Sequence, residues 1–187
     1  MKLQDHGLID VVDEDNQPLG FQLTASQINN RGLWHRGCHG VITTANGHYI
    51  IEKRSSSIIF SPGLLDISLG GHVDTGETPE QAMIREVREE LGLTVAEHQL
   101  RLLEIRKWDR YHPRYHKQSR VFLYAYHIQI PEDNPVMHIQ DDEVAWVKIA
   151  PKSRVHRLLR LHRLRNLGRL NHAYRYYQQL IGLVEGE

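Results

Sequence analysis

Three glutamates, Glu86, Glu89 and Glu90, crowd the hexapeptide REVREE at residues 85–90. On a helix, spacings of three and four residues set them along one stripe. Like charges so placed cost roughly 0.2–0.5 kcal/mol per pair in solvent. Two carboxylates about 5 Å apart repel by roughly 3 kcal/mol at an effective dielectric of about 20. A hard divalent cation reverses the sign of that energy. Mg2+ takes oxygen ligands and is commonly held by a few carboxylates together with substrate phosphates. Such an ion polarises a phosphoryl oxygen and lowers the pKa of water. The three residues alone also fit a solvated charged helix face, so the flanking elements have to decide.

The chain marks the helix that would carry them. Thr78 is a good N-cap, Pro79 falls at the first helical position, Gln81 completes a capping box, and Gly92 stands where a left-handed C-terminal residue belongs. Ile84, Val87 and Leu91 share a face expected to meet the core, which puts the three glutamates on the opposite face. LLDISLG (64–70) reads as a short strand running into the glycine pair Gly70-Gly71. Upstream, LIDVVD (8–13) reads as a strand closed by a turn at 14–16, and Thr24 with Gln27 predicts a short helix near 25–31. HGVITT (39–44) and HYIIEK (48–53) flank Ala45-Asn46-Gly47, a hairpin signal. Downstream, LRLLEIRK (100–107), SRVFLYAYHIQ (119–129) and EVAWVKI (143–149) read as strands, with WDRYHPRYHKQ as the loop between the first two. Several strands around a capped helix predict a mixed α/β (α+β) sandwich.

Composition narrows the class. The 187 residues are 40% apolar and 25% charged, ordinary for one globular domain that needs no staples. No run of 18 apolar residues suggests a membrane span, and MKLQDHGLID lacks the apolar core of a secretory signal. Cys38 is the sole cysteine, which excludes an internal disulfide and a zinc site built on several thiolates. The 13 histidines are scattered, with no paired spacing for zinc. A cytoplasmic location is expected. The zero net charge hides an asymmetry: residues 151–187 hold eight Lys/Arg against two Glu, so residues 1–150 are acidic by the same six charges. An acidic main part suits cation binding. The expected division is a domain over 1–150 and a basic helical extension over 151–187. Leucines at 158, 161, 164, 167 and 170 drift around a helix, and 166–168 is the expected break between two short helices. The extension either docks on the domain or at a homodimer interface, or it offers its arginines to nucleic acid or another acidic partner.

The decisive stretch is GGHVDTGETPEQAMIREVREELGL at residues 70–93. It contains Gly71, five residues, Glu77, seven residues, Arg85-Glu86-Val87, one residue, Glu89-Glu90, one residue and Gly92-Leu93. This resembles the signature of the Nudix hydrolases, and every defined position matches. The resemblance implies a loop–helix–loop that binds Mg2+ or Mn2+ and cleaves a nucleoside diphosphate linked to another group. It implies Glu89 and Glu90 as metal ligands, Glu86 as a ligand or the base for the attacking water, and the Gly71 carbonyl as a backbone ligand. It implies Arg85 paired with Glu77, a role that suits a planar guanidinium able to hold a carboxylate bidentately.

A second resemblance precedes the signature. HRG (35–37), a hairpin, EKRSSS (52–57) and SPGLLD (61–66) are similar to the branch holding the type 1 isopentenyl diphosphate isomerases and related hydrolases. His35 and His72 match two histidines of those isomerases and, with Arg54, are candidate contacts to substrate. The isomerases' catalytic cysteine falls at Gly70, and the strand near SRVFLYAYH shows no glutamate. Without thiol and acid, proton transfer at an allylic carbon has no agent. Glu143, beside Asp141 and Asp142, is a candidate further acid. Trp108, Tyr111, His112, Arg114, Tyr115 and His116 are candidates for a lid that stacks a base and grips phosphate. The reading is a Mg2+-dependent (or Mn2+-dependent) pyrophosphohydrolase of a small phosphoanhydride, with no membrane partner. An isomerase and a non-catalytic nucleotide sensor stand as alternatives.

Overall fold

The computed structural model describes residues 7–58, 61–112, 116–139, 143–165 and 174–186. The chain runs β1 (Leu8–Val12), β2 (Pro18–Thr24), α1 (Ala25–Arg31), β3 (Trp34–Thr43), β4 (Tyr49–Arg54), β5 (Leu65–Asp66), β6 (Leu69–His72) and α2 (Pro79–Leu91). A 3-10 turn (Glu97–Gln99) leads to β7 (Leu100–His112), β8 (Lys117–Gln129), β9 (Val144–Ala150), α3 (Lys152–Arg165) and α4 (Tyr174–Glu185).

β3 organises the mixed sheet. It pairs parallel with β8 from Trp34↔Arg120 to Thr43↔Gln129, and antiparallel with β6, where Cys38 faces Gly71 and His39 faces Gly70. β4 pairs with β9 and with the short β5, which sets Glu52 directly opposite Asp66. The turn at residues 45–47 forms as expected, with Gly47 at φ 75. The strands it joins then part, sharing only the register pair Thr43↔Tyr49. Each has better partners elsewhere, because both are apolar on both faces and are buried between layers.

Alternation along these strands builds the two layers. Val41, Tyr49, Ile51 and Ala125 pack with Val155 and Leu159 of α3 and Tyr176, Tyr177, Leu180 and Ile181 of α4. Their neighbours Ile42, Ile50 and Tyr126 face the other way, onto Ala82, Met83, Val87 and Leu91 of α2. The sheet is thus sandwiched between α2 and the α3/α4 pair, and Ile9, Val11, Ala25 and Ile28 form a third small cluster. Burying each large apolar side chain contributes about 1.5–3 kcal/mol, so the contacts of α3 and α4 outweigh any exposed ion pair. The fully buried anchors of α3 are Val155 and Leu159, four apart, with Leu158 packing partly beside them. Tyr49 Oη and Lys152 Nζ also reach Glu185, at 2.7 and 2.8 Å.

Both predicted capping boxes are present, at Thr24/Gln27 and Thr78/Gln81, and Gly92 closes α2 at φ 67. Three expectations are corrected. First, most of WDRYHPRYHKQ is strand. Trp108↔Val121, Asp109↔Arg120 and Tyr111↔Gln118 extend the β7–β8 ladder, where alternating aromatic and polar residues suit a pleated surface; Arg114 and Tyr115 lie outside the described residues. Second, β2 is an additional strand, exposed along most of its length, which its mixed sequence PLGFQLT did not signal. Third, LLDISLG is two strands. The Asp66 carboxylate draws in the Ile67 and Ser68 backbone N–H groups at 2.9 and 3.1 Å, and such local bonds compete with a ladder. The 166–168 break and Asp141 and Asp142 lie outside the described residues. Among the described residues no helix is long and apolar enough to cross a membrane.

Candidate active site

The loop before α2 and the helix itself are joined by one guanidinium. Arg85 Nε and Nη2 donate to the two oxygens of Glu77, both at 2.9 Å, and Nη2 also donates to the His72 carbonyl at 2.9 Å. Nη1 donates to Glu86 Oε1 at 2.7 Å and to Glu89 Oε2 at 3.3 Å. Glu77 in turn accepts the Asp74 backbone N–H at 3.2 Å. Burial pushes the Glu77 carboxyl up, but the Arg85 hydrogen bonds and the Asp74 N–H carry it below the ordinary carboxylate value. Five donor contacts from one side chain fix the loop, the helix and two of the three signature glutamates to one another.

The glutamates are not alike. Glu89 is exposed and leans on Arg85, whereas Glu90 is 5% exposed and turned into the molecule. This corrects the expectation of an outward carboxylate face. Glu90 lies three residues after Val87 and seven after Met83, so it shares the stripe of the buried side chains. Glu86 lies against Gly71 so closely that a Cβ there would sit 2.1 Å from its Oε1. A side chain at this position would have to push the Glu86 carboxylate aside. The Gly71 carbonyl accepts the Cys38 thiol at 3.8 Å. Cys38 is fully buried, and burial followed by the Glu86 charge pushes its thiol up to about 12.

Two further acids complete the group. Glu52, 5% exposed on β4, is a close electrostatic neighbour of the equally buried Glu90. Burial first, and the Asp66 charge next, push Glu52 up to about 8. Burial, then Glu52, Glu86 and Glu143, push Glu90 well above the usual range. Glu86 is raised to about 7 by burial, against the pull of Arg85. Glu143 is half-buried, held at the end of β4 by Ser55 N–H donating to its carbonyl at 2.8 Å, and its charge is felt at Glu52, Glu86 and Glu90. Arg54 Nη1 lies 3.8 Å from Glu52 Oε1 and 3.7 Å from Asp66 Oδ2, between the two cross-strand acids.

The structure therefore brings together Glu52, Glu86, Glu90 and Glu143, with Arg54 and Arg85 at the edges. Glu52 and Asp66 were missed as site residues by sequence reasoning. A usable signal existed: in HYIIEK, Glu52 has the same phase as Ile50, the core-facing phase toward α2. His35 and His72 stack with ring centroids 5.2 Å apart. His35 is 3% exposed and donates Nδ1–H to the Leu33 carbonyl at 3.2 Å. Burial lowers His35 to about 4 and His72 to about 3, so both rings are neutral near pH 7.

Among the described residues no three His, Cys, Asp or Glu side chains already stand at ligand spacing. The donor set nonetheless fits a hard divalent cation. It is all oxygen, its members resist ionisation because they are buried and then because they crowd one another, and Glu52 Oε2 is buried without a hydrogen-bond partner. The position of the isomerase cysteine is closed. A Cβ on Gly70 would lie 2.0 Å from the Cys38 carbonyl oxygen. β8 carries no glutamate.

Comparisons with known proteins agree with the signature. Residues 33–170 match the NUDIX domain family. An uncharacterised Nudix hydrolase of Rhodococcus erythropolis, orf19, is 33% identical over 142 residues, 74% of each chain. Other curated relatives are matched over about half their length, for example 54% and 46%. Among solved structures, DR0079 from Deinococcus radiodurans superposes with a TM-score of 0.63 at 21% identity, covering 89% of this chain and 93% of that one. A bifunctional NMN adenylyltransferase/ADP ribose pyrophosphatase from Francisella tularensis, complexed with AMP and Mn ion, gives 0.56 at 19% identity over 81% of this chain and 41% of that one. The matched span begins at the strand that pairs with the glycine loop and takes in the whole clamp, the carboxylate helix and their supporting strands: the chain belongs to the Nudix family.

Proposed function

We propose that the protein is a divalent-cation-dependent pyrophosphohydrolase that cleaves the phosphoanhydride bond of a nucleoside diphosphate joined to another group. The observation that carries this reading is the buried cluster of Glu52, Glu86, Glu90 and Glu143, braced from one side by Arg85 and Glu77. Mg2+ or Mn2+, held by Glu89 and Glu90, would supply charge to a phosphoryl oxygen and lower the pKa of water, leaving Glu86 as the base. The chain's own residues do the rest. Glu86, oriented by Arg85 and raised to about 7, is placed to take a proton near neutral pH. Water oxygen bonds to one phosphorus, the bridging P–O bond breaks, and the bridging oxygen leaves on the second phosphate. Arg54, partly exposed beside the cluster, would orient a substrate phosphate. The Mn-bound pyrophosphatase neighbour supports the metal and the substrate class. The closed position at Gly70 speaks against the isomerase alternative.

The test is product release in Mg2+ across nucleoside di- and triphosphates, nucleotide sugars, ADP-ribose, dinucleotides, CoA and prenyl diphosphates. Glu90→Gln should lower turnover of the best substrate by about 10^3-fold or more with the fold retained. Full activity in that variant refutes the assignment of the cluster.

A further inference from the structure

The family match ends at residue 170, yet a side chain beyond it is tied to the carboxylate cluster. Tyr177 of α4, 1% exposed, donates its hydroxyl to Asp66 Oδ1 at 2.5 Å across 111 residues of sequence. The other donors to Oδ1 are local: Ile67 N–H, Ser68 N–H and the Ser68 hydroxyl, at 2.9 to 3.1 Å. All four gather on one oxygen and leave Oδ2 facing Arg54. Arg54 spans from Asp66 to Glu52, and Glu52 lies among the same buried acids as Glu90, close enough for the two charges to repel. Asp66 and Glu52 are also register partners on β5 and β4, where two like charges directly opposite each other are unfavourable unless something holds both. A chain of contacts thus runs from α4, in the layer opposite α2, to Glu52, the electrostatic neighbour of the buried glutamate of α2.

We propose that Tyr177 is a positioning residue for the cation-binding carboxylates: its hydroxyl orients Asp66, and Asp66 with Arg54 sets Glu52 beside Glu90, so that docking of α4 completes the site. Supporting partners of this kind, one step removed from metal ligands, commonly affect affinity by about 10–100-fold. Tyr177 stands further out than that, so the lower end applies. The inference rests on the reading of the cluster as a cation site, and the experiment separates the two.

The experiment is Mn2+ titration of the full chain followed by electron paramagnetic resonance, with thermal melting on the same samples. Tyr177→Phe removes one hydroxyl and should weaken Mn2+ binding by about tenfold. Tyr176→Phe is the control: it is the neighbouring buried tyrosine of α4, and its hydroxyl is buried without a hydrogen-bond partner. It should bind Mn2+ within about twofold of the unaltered chain. Equal Mn2+ affinity in folded Tyr177→Phe and in the unaltered chain overturns the inference while leaving the cation site standing. No Mn2+ uptake by the unaltered chain overturns the site and the inference with it. Should Tyr177→Phe not fold, Asp66→Asn reads the same link, since it keeps an oxygen for Tyr177 and replaces the one facing Arg54. A tenfold loss in that variant supports the proposal, and unchanged affinity overturns it.

Discussion

The two sides of the carboxylate cluster are built in contrasting ways. On the α2 side, Arg85 holds Glu77, Glu86 and Glu89 with direct hydrogen bonds of 2.7 to 3.3 Å, all within 12 residues of sequence. Every carboxylate there has a nearby cation. On the β4 side, Glu52 and Asp66 face each other with Arg54 no closer than 3.7 Å, and the fixing hydroxyl comes from the far end of the chain. The first side is a finished clamp. The second is a crowded group: burial, then the Asp66 charge, raises Glu52 to about 8, and burial, then the Glu52 charge, raises the adjoining Glu90 well above the usual range. The difference shows where a cation would do most: not at the already neutralised Glu77–Arg85 pair, but against Glu90 and Glu52.

Breaking the clamp should have the largest effect. Arg85→Ala strips direct partners from three glutamates and one carbonyl, leaving partly buried charges unpaired, which typically costs about 3–5 kcal/mol. Denaturant melts should show that loss, and turnover should fall by about 10^2-fold or more. An unchanged midpoint would mean that the clamp does not hold the loop to the helix.

The crowded side makes a pH-dependent prediction of the opposite sign to acid denaturation. Glu86 at about 7 and Glu52 at about 8 are raised above the ordinary carboxyl value of 4.5. Groups raised on folding contribute stability that is fully present below pH 4.5 and lost as pH rises through the folded values. Metal-free protein should therefore lose several kcal/mol of stability, and its Tm should fall, between pH 5 and pH 9. Mn2+ should flatten the slope, and Glu52→Gln should make it shallower without metal while weakening Mn2+ uptake. A metal-free Tm that rises across this range would contradict the burial of these acids. Next in size comes the tenfold effect of Tyr177→Phe described above. The smallest effect belongs to Asp109→Ala, which removes an Arg120 pair exposed on both sides at 3.4 Å. Its melting midpoint should move by no more than about 0.5 kcal/mol.

Legibility in the sequence follows the same divide. Helix α2 could be read to its ends, because its N-cap, its first-position proline and its αL glycine are local signals. The Glu77–Arg85 clamp lies within the same short stretch. Glu90 was legible in principle, since its spacing from Met83 and Val87 puts it on the buried stripe, but its charge argued for the surface and the spacing won. Glu52 was legible only as a charged residue in the core-facing phase of a strand. Asp66 and Tyr177 were not legible as partners: a hydrogen bond across 111 residues leaves no trace in local spacing. The aromatic-basic stretch after Lys107 became strand because its neighbours across the ladder supply the pairing, and composition alone does not contain that information.

The tight approach of β6 to β3 also bears on how this chain can change. A glycine codon becomes a cysteine codon by replacement of a single nucleotide, so mutation offers a thiol at position 70 readily. The obstacle is the carbonyl of Cys38, 2.0 Å from where the new β-carbon would lie. The neighbouring strand would have to move aside and give up the Gly70–His39 register before the thiol had room. Evolution toward carbon chemistry from this starting point would thus require a rearranged backbone first and a new side chain second.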